Sequence, residues 1–475
     1  MEGFKTASEG KATVLYPQDA KVFYNPIQQF NRDISICAIR AWTSMYNLQR
    51  KRKRNDCDEP KPFITIVEGL AASGLRSIRY AKEIPQVKTI YANDLSAHAV
   101  ESITRNAKHN NVESIIQATH GDANATMHSL SGKAAHVVDL DPYGSAIPFL
   151  DAAVQLVSDN GILLVTCTDL AVLAGNGYPE KCFSHYGGTT VRNDATHESA
   201  LRLLLNSVAQ TAARYGKSIT PLLSLSIDYY VRCFIQVRTS PATVKDNLAK
   251  SAIIYNCTGC QTTHVQPLGK VSCNDKGNKK YGYAKGPVVS PICEFCSSPH
   301  HISGPLWIGP LHQNEFVQEM LDLALNLDPE IYSTRDRMLG MLTLARQEIG
   351  VPFYVSPANM ASKVRCAVPP LKQFLSAILN GGYDVSLTHA QAGCVKTNAP
   401  PAFLWDILRT WAKQERSSKE MKNSPGAHIL EGSITHEISF AEHEKVASID
   451  KLRKSKIACF PMNPRAEWGP MAKPA

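Results

Sequence analysis

The stretch at residues 135–144 ends in side chains that could bind and activate a planar amino group. An apolar strand is followed there by Asp141, Pro142, Tyr143 and Gly144. The Asp141 carboxylate and the Pro142 carbonyl can each accept a hydrogen bond from an amino group, and the Tyr143 ring can lie flat against a base. This arrangement would direct the nitrogen of a nucleobase amine at an electrophile. The alternative is an ordinary turn, since Asp and Pro commonly follow strands.

Three more acidic residues end predicted strands in the same way. Glu68, Asp94 and Asp122 each follow a short apolar segment, and each segment alternates with a predicted helix. Such alternation predicts a parallel, doubly wound sheet, which binds ligands at the carboxyl ends of its strands. Each acid alone could cap a helix, but four acids at successive strand ends indicate a cofactor site.

The turn between Glu68 and Arg76 contains two glycines and opens a helix. Its backbone can approach a ligand, and the helix start carries a partial positive charge. Asp94 lies twenty residues after Gly74, where a carboxylate can accept from both ribose hydroxyls, although this spacing also suits a dinucleotide. The turn lacks the G-x-G-x-x-G pattern, and Asp122 would meet the adenine amine. The pattern therefore favours S-adenosylmethionine over a nicotinamide cofactor.

The N-terminal sequence predicts a hairpin near residues 12–23 and then a helix. Asn25 and Pro26 form its start, because Asn caps helices and Pro favours the first helical position. The helix is predicted to end near residue 46. The basic run at residues 50–54 is predicted as an exposed loop, either a nuclear-localisation patch or a solvated charge run.

Two C-x-x-C pairs predict a structural zinc site. The four cysteines are Cys257, Cys260, Cys293 and Cys296. Four thiolates suit tetrahedral zinc, although the thirty-two residues between the pairs exceed the usual gap. His264 or Cys273 could substitute as a ligand, and the alternative is four unrelated buried thiols. Five lysines between the pairs could contact phosphate: Lys270, Lys276, Lys279, Lys280 and Lys285.

The C-terminal sequence predicts a mixed α+β module. Helices are predicted at residues 315–325, 336–349, 360–365 and 370–379, and strands at 383–389 and 393–397. The last helix pair and the strands resemble a winged helix, with a plain structural domain as the alternative. Its basic residues Lys363, Lys372 and Lys396 are candidates for RNA binding. Residues 445–475 are predicted as an extended basic tail.

Length and charge fit a globular protein with an anionic partner. The chain has 475 residues and a net charge of +9, which favours nucleic acid. We divide it into a domain at residues 1–245 and a second at 246–475, with a zinc module at 255–300. Thirteen cysteines, no apolar leader and no long apolar run predict a soluble intracellular protein without membrane association. The nucleus is favoured by the basic run, with the mitochondrion or cytoplasm left open, and a monomer is favoured.

These motifs, in this order, resemble the tRNA (guanine-26, N2)-dimethyltransferases. The matching stretches are the cysteine pairs and residues 22–26, 31–33, 68–79, 93–94, 121–124, 141–144, 186–188, 382–389, 396–400 and 463–465. The resemblance implies a class I methyltransferase domain (a Rossmann-like, doubly wound α/β sheet), a family-specific α+β C-terminal domain, S-adenosylmethionine and a tRNA substrate. It also implies cofactor contacts at Arg32, Arg76, Asp94, Asp122 and Ala123, and we group Glu68 with them.

The reaction predicted from these residues is methylation of guanine N2, giving N2,N2-dimethylguanosine. Asp141 would accept a hydrogen bond from N2 and take or relay its proton, and the Pro142 carbonyl would accept the second N–H. Phe23 and Tyr143 would sandwich the base. Two alternatives stay open: another amine such as adenine N6 or cytosine N4, and a catalytically inactive, zinc-bearing RNA-binding protein.

Overall fold

The chain begins with a hairpin and a long helix. The computed structural model describes residues 3–17, 24–54, 61–175, 177–415 and 423–454. The first elements are β1 (Phe4–Glu9), β2 (Ala12–Pro17) and α1 (Gln29–Arg54), with a 3-10 turn at Pro26–Gln28 before α1. The Asn25 side chain caps this turn by accepting from the Ile27 amide, as the sequence predicted.

Two boundaries in this N-terminal segment differ from the prediction. The hairpin lies earlier than residues 12–23, because β2 pairs with β1. Residues 50–54, predicted as a loop, instead continue α1 to its end at Arg54. Arg and Lys are good helix formers, so a basic run can extend a helix when no Gly or Pro interrupts it.

A seven-stranded mixed sheet forms the centre of the described chain. Its strands are β3 (Ile64–Glu68), β4 (Val87–Asp94), β5 (Ile116–His120), β6 (Ala135–Leu140), β7 (Val157–Cys167), β8 (Lys217–Ile227) and β9 (Tyr230–Thr239). The strand order is β5-β4-β3-β6-β7-β9-β8. β3 to β7 run parallel, and β9 is antiparallel to both β7 and β8. The predicted doubly wound sheet, closed by an antiparallel pair, is confirmed.

Helices connect the parallel strands, which is why these strands are apolar on both faces. The helices are α2 (Leu75–Glu83), α3 (Ala97–His109), α4 (Ala123–Ser129), α5 (Ile147–Leu156), α6 (Leu170–Leu173), α7 (Pro179–Tyr186), α8 (Thr196–Ala213), α9 (Pro241–Val244) and α10 (Asn247–Lys250). Ile66, Val138 and Leu164, from three neighbouring strands, are all fully buried. With each strand fixed between two layers, its carboxyl end is held at one edge of the sheet.

The C-terminal part contains three small sheets and seven helices among its described residues. Its strands are β10 (Ser251–Cys257), β11 (Thr263–Pro267), β12 (Gly269–Cys273), β13 (Lys279–Tyr283), β14 (His300–Trp307), β15 (Val385–Leu387) and β16 (Val395–Thr397). Its helices are α11 (Asn314–Leu325), α12 (Arg335–Gln347), α13 (Pro357–Lys363), α14 (Leu371–Asn380), α15 (Pro401–Glu415), α16 (Pro425–Glu431) and α17 (Glu444–Lys454). The predicted order of two helices and two strands is present as α13, α14, β15 and β16. The prediction of an extended tail is wrong for residues 445–454, which are helical, and residues 455–475 lie outside the described chain.

Two of the three hydrophobic cores contain residues from both sides of residue 245. Phe316 and Met320 of α11 pack in the same core as Ile34 of α1. Leu306 and Trp307 of β14 share a core with α8. The division at residue 245 therefore stays a sequence prediction, and the C-terminal elements complete the packing of the seven-stranded sheet.

A buried ion pair links two strands inside the sheet. Asp139 of β6 is fully buried, and Arg232 of β9 donates to its two oxygens at 2.8 and 3.1 Å. The Tyr80 hydroxyl donates to the same carboxylate at 2.5 Å. Burial would raise the pKa of Asp139, but Arg232 and Arg76 hold it below its ordinary value. The carboxylate is therefore ionised, and its charge is balanced locally.

Among the described residues, no helix combines the length and the apolar character needed to cross a bilayer.

Replacing Asp139 by Ala should destabilise the fold strongly. The substitution leaves the Arg232 guanidinium buried without its carboxylate, which typically costs about 3–5 kcal/mol. Urea denaturation followed by tryptophan fluorescence measures this loss in the free energy of unfolding. The control is Asp275→Ala, because Asp275 is exposed and its removal should change stability by less than about 0.5 kcal/mol. Equal stabilities for the two variants would contradict the prediction.

Candidate active site at the strand ends

The turn between β3 and α2 brings the backbone to the open edge of the sheet. Gly74 caps α2 with a φ of 78°, and a side chain there would lie 3.2 Å from the Ile103 Cα of α3. Glycine is needed at this position for both reasons. The amide of Ala72, in the same turn, donates to the Asp94 carboxylate at 2.9 Å.

Asn93 connects three strand-end loops, a role that the sequence analysis missed. Its side-chain amide donates to the carbonyls of Gly69 and Gly121 at 3.1 and 3.0 Å. Its oxygen accepts from Thr126 at 2.8 Å. Asn93 is 1% exposed, so these hydrogen bonds replace those it would make with water. It thereby fixes the spacing of the loops that carry Glu68, Asp94 and Asp122.

Asp94 and Asp122 lie at this edge, as predicted. The second Asp94 oxygen accepts from the Ser96 amide at 2.9 Å. Asp122 is exposed and caps α4, with one oxygen accepting from the Ala125 amide at 3.0 Å. Ala123, next to it, is buried. The capping role considered from the sequence is therefore present, and it orients the Asp122 carboxylate toward solvent at the strand ends.

Arg76 joins the carboxylates at the ends of β3 and β6. Its guanidinium lies 3.5 Å from Glu68 and 3.6 Å from Asp139, and it forms an ion pair with Asp141. Arg76 is 5% exposed, whereas the Asp141 side chain keeps 19% of its surface open. Of the acids that contact Arg76, Asp141 is thus the one most open to a ligand.

Glu68 is buried at the floor of the site. It accepts from the Ser77 hydroxyl, and burial raises the pKa of Glu68 to about 8 despite the nearby Arg76. Its position fits a structural support for Arg76. Arg32, predicted as a cofactor contact, donates to Glu9 of the hairpin at 2.6 Å and to the Asn25 carbonyl at 2.9 Å. Its contact with a cofactor stays a prediction.

The loop after Asp141 is held from the neighbouring strand β7. Thr168 and Gly144 exchange two hydrogen bonds, of 2.8 and 2.9 Å. The Tyr186 hydroxyl lies 2.8 Å from Ser145 Oγ and donates to Asp169 at 2.7 Å. Burial raises the pKa of Asp169. Gly144 and Tyr186 lie in stretches that carry the sequence resemblance, but Ser145, Thr168 and Asp169 were not singled out from the sequence, because their partners are not adjacent in the chain.

The remaining predicted catalytic residues differ in their surroundings. Pro142 is buried, and Tyr143 is 55% exposed beside Asp141. A half-exposed aromatic ring beside a carboxylate is available for stacking on a base. Phe23, the predicted second ring of the sandwich, lies outside the described residues.

The four cysteines of the predicted zinc site come together. Their sulfur atoms all lie within 4.8 Å of one another, and all four residues are buried. Zn–S bonds of about 2.3 Å place tetrahedral sulfurs roughly 3.8 Å apart, so the group fits zinc. Both pairs form the same turn: the amides of Gln261 and Ser297 donate to the carbonyls of Cys257 and Cys293 at 3.1 and 2.9 Å. His264 and Cys273 do not belong to this group.

Lys396 is a correction to the RNA-binding prediction. It is 1% exposed, and its amine contacts Glu348 at 2.9 Å and Glu198 at 3.2 Å. A phosphate cannot reach a buried, doubly paired ammonium, so the prediction is wrong for Lys396. Its ion pairs instead join α8 to the end of α12. Lys363 is half-buried and Lys372 is exposed, and their RNA contacts stay predictions.

A second group of possible metal ligands adjoins Lys396. His312, Glu348 and His389 lie close enough to share an ion. However, the amides of Ser224 and Ser226 donate to one nitrogen of each histidine, at 3.4 and 3.3 Å. His389 Nδ1 lies 2.6 Å from Glu348, whereas His312 Nε2 lies 3.7 Å from it and has no hydrogen-bond partner in the described part of the chain. The cluster is thus held in the fold by the two serine amides, and one of its imidazole nitrogens stays unpaired.

A cavity of about 190 Å³ lies away from the strand ends, beside the zinc group. Thr262, Tyr354 and Trp405 are among its lining residues. The Trp405 indole donates to the Thr262 hydroxyl at 3.0 Å, and Thr262 lies 3.0 Å from the Cys260 sulfur. These contacts support the group of four cysteines, and the acids at the strand ends lie elsewhere.

The strand order, the glycine turn and the acids at successive strand ends define a class I methyltransferase. Residues 3–409 match the family model described as "TRM: N2,N2-dimethylguanosine tRNA methyltransferase". Because the match covers most of the chain, the protein belongs to this family.

Relatives of known name agree with this assignment. The tRNA (guanine(26)-N(2))-dimethyltransferase of Schizosaccharomyces pombe is 46% identical, over 98% of this chain and 92% of the relative. The Saccharomyces cerevisiae protein, named as mitochondrial, is 44% identical over 100% of this chain and 93% of its own length. Trm1 from Pyrococcus horikoshii, solved with S-adenosyl-L-methionine, is 28% identical with a TM-score of 0.66. It covers 83% of this chain and 97% of its own.

Replacing Asp94 by Ala should weaken the binding of S-adenosylmethionine. Losing a charged acceptor of hydrogen bonds costs about 2–4 kcal/mol, which is roughly 30- to 1000-fold in the dissociation constant. Isothermal titration calorimetry measures it, with circular dichroism as a check on folding. Glu101→Ala on the exposed side of α3 is the matched control and should bind normally. Unchanged affinity in Asp94→Ala would remove this residue from the site.

Replacing Cys260 by Ser should reduce zinc content and soluble yield. The substitution removes one of four thiolates, and a filled tetrahedral site supports the fold rather than chemistry. Plasma mass spectrometry and thermal unfolding measure the two effects. Cys273→Ser is the control, since Cys273 is exposed on the strand between the pairs. Full zinc retention in a Cys257→Ser/Cys260→Ser double variant would rule out this site.

Proposed function

We propose that this chain methylates the exocyclic N2 of guanine 26 in tRNA, using S-adenosylmethionine and giving N2,N2-dimethylguanosine. The observation that carries the proposal is Asp141, which lies partly open at the end of β6 beside Arg76 and Tyr143. Family membership supports the tRNA substrate. The similarity to the Pyrococcus horikoshii protein solved with S-adenosyl-L-methionine supports the cofactor.

The residues at the strand ends fit this cofactor by their chemistry. Asp94 and Asp122 offer acceptors to the ribose hydroxyls and the adenine amine. Leu95, next to Asp94, is 73% exposed and offers an apolar surface to the adenine ring. When bound, S-adenosylmethionine supplies an electrophilic methyl group. Arg76 is 5% exposed and pairs with Asp141, so it supports the reaction centre by fixing that side chain, and its direct contact with the cofactor stays a prediction.

Asp141 can compensate for the poor nucleophilicity of guanine N2 by accepting its hydrogen bond and its proton. The lone pair of N2 is delocalised into the ring, so the amine reacts poorly by itself. Arg76 contacts Asp141 Oδ2, which leaves Oδ1 to accept an N2–H and to receive a proton as the new bond forms. The ion pair keeps the carboxylate in one orientation, and the Pro142 carbonyl can accept the second N–H.

The target base must leave the tRNA stack to reach Asp141. This extrusion costs a few kcal/mol, and stacking on an aromatic ring returns about 1–3 kcal/mol. Tyr143 is placed for this contact. Phosphate contacts from the C-terminal part, including Lys363 and Lys372, supply further binding energy without reading sequence.

The proposal also covers the structural metal ion, the cellular location and the oligomeric state of the protein. The cysteine group fits one structural zinc ion, which would hold β10 beside the segment that precedes β14. The basic end of α1 at residues 50–54 is a candidate nuclear signal, although one relative is named as mitochondrial. We expect the protein to act as a monomer that binds tRNA.

Replacing Asp141 by Asn should stop methylation without stopping binding. The amide oxygen can accept a hydrogen bond but cannot take up a proton, so turnover should fall by about two to four orders of magnitude. Single-turnover methylation of unmodified tRNA, with nucleoside analysis, measures this rate. Dissociation constants for cofactor and tRNA should change by only a few-fold. Asp322→Asn, exposed on α11, is the control, and a near-normal rate in Asp141→Asn would exclude proton uptake by this residue.

A further inference from the structure

The lysine-rich segment between the two zinc pairs folds into a hairpin of β12 and β13. The two strands are antiparallel, with Lys270 opposite Gly282 and Ser272 opposite Lys280. The two cysteine pairs flank the segment that contains this hairpin. Because the four cysteines come together, they join the two ends of that segment. The hairpin is therefore attached at both ends to one rigid point.

One face of the hairpin packs against α10 and the residue that precedes it. Lys279 forms an ion pair with Asp246 at 2.6 Å, and the Tyr281 hydroxyl donates to the other Asp246 oxygen at 2.9 Å. A side chain at Gly269 would lie 2.3 Å from Leu248 of α10, so the backbone approaches that helix closely. These contacts fix which face of the hairpin points away from the protein.

The opposite face carries lysines that point outward. Side chains alternate along a strand, so Lys270, Ser272 and Lys280 share the face that Lys279 and Tyr281 do not use. All three are exposed. Lys270 and Lys280 occupy diagonal cross-strand positions, about 7–8 Å apart. Between Gln261 and Ile292 the sequence holds five lysines and a single acidic residue, Asp275.

An exposed aromatic ring lies at the edge of the same hairpin. Tyr283 is 90% exposed, the highest exposure among the large hydrophobic side chains that the structure describes. Tyr283 pairs with Gly269 and alternates with Gly282, so it lies on the face of Lys279 and Tyr281 rather than on the outward face. The outward face carries two lysines and no apolar side chain, so it matches a polyanion better than an apolar protein surface.

We propose that the outward face of this hairpin, formed by Lys270, Ser272 and Lys280, binds the phosphate backbone of the tRNA substrate. The inference rests on the proposed function, because that function supplies the polyanion. Two lysines on a rigid face can contact neighbouring phosphates of one strand without first being ordered. The hairpin then extends the binding surface beyond the strand ends where the base reacts, and zinc contributes to RNA binding by holding it.

The test is a Lys270→Ala/Lys280→Ala double variant, with Lys88→Ala/Lys108→Ala as the charge-matched control, because Lys88 and Lys108 are exposed near the amino ends of β4 and β5. Each phosphate contact contributes up to about 0.9 to the slope of log K against log salt. The Lys270→Ala/Lys280→Ala variant should therefore lose roughly one to two units of slope and about 10-fold in tRNA affinity near 0.15 M salt. Its kcat/KM should fall through a higher KM, whereas the control should stay within about two-fold of wild type.

Binding and methylation are measured on the same full-length proteins, with zinc content and thermal unfolding as checks on folding. Unchanged tRNA affinity and salt slope in the Lys270→Ala/Lys280→Ala variant would overturn the hairpin proposal, and so would an equal loss in the Lys88→Ala/Lys108→Ala control. A wild-type protein that binds tRNA but does not form N2,N2-dimethylguanosine would overturn the proposed function instead. In that case the difference between the variants still tests the hairpin.

Discussion

The electrostatics of the active edge depend on Arg76. Parallel strands that end side by side bring the carboxyl groups of Glu68, Asp139 and Asp141 close together. Burial raises the pKa of Glu68 to about 8, whereas Arg232 and Arg76 hold the pKa of Asp139 below its ordinary value. The Arg76 guanidinium lies within 3.6 Å of Glu68 and Asp139 and pairs with Asp141, and Arg232 neutralises Asp139 from the other side. These two cations therefore balance the buried charge of Asp139, and Arg76 also fixes the Asp141 side chain at the ligand site.

Hydrogen bonds from uncharged side chains also hold the loops at this edge of the sheet, and they add no further charge to the site. Asn93 connects the loops after β3 and β5, while Thr168 and Tyr186 hold the loop after β6. These contacts leave the half-buried carboxylate of Asp94 and the exposed carboxylate of Asp122 at fixed positions. Pre-ordering of this kind lowers the entropy cost when a ligand binds.

The C-terminal part is joined to the methyltransferase sheet through buried charge and shared cores. Lys396 pairs with Glu198 of α8 and with Glu348, so the two glutamates do not remain unbalanced in the interior. Removing an ion from water costs several kcal/mol, which only close partners can offset. This junction fixes the C-terminal elements relative to the strand ends, and it leaves the exposed lysines elsewhere as the ones available to RNA.

The sequence by itself determined the class of the sheet, the four acids at the strand ends and the grouping of four cysteines that fits zinc. Each depends on local spacing: apolar segments that alternate with helices, an acid directly after a strand, and cysteines two residues apart. Sequence reasoning failed at residues 50–54, where helix propensity continued α1, and at Lys396, which looked like its exposed neighbours. Only the tertiary structure decided that Arg76 pairs with Asp141, that Tyr186 supports the reactive loop and that Lys396 is buried. The physical reason is that burial and pairing depend on groups far apart in the chain, such as Glu198 and Lys396, which meet only when the fold is complete.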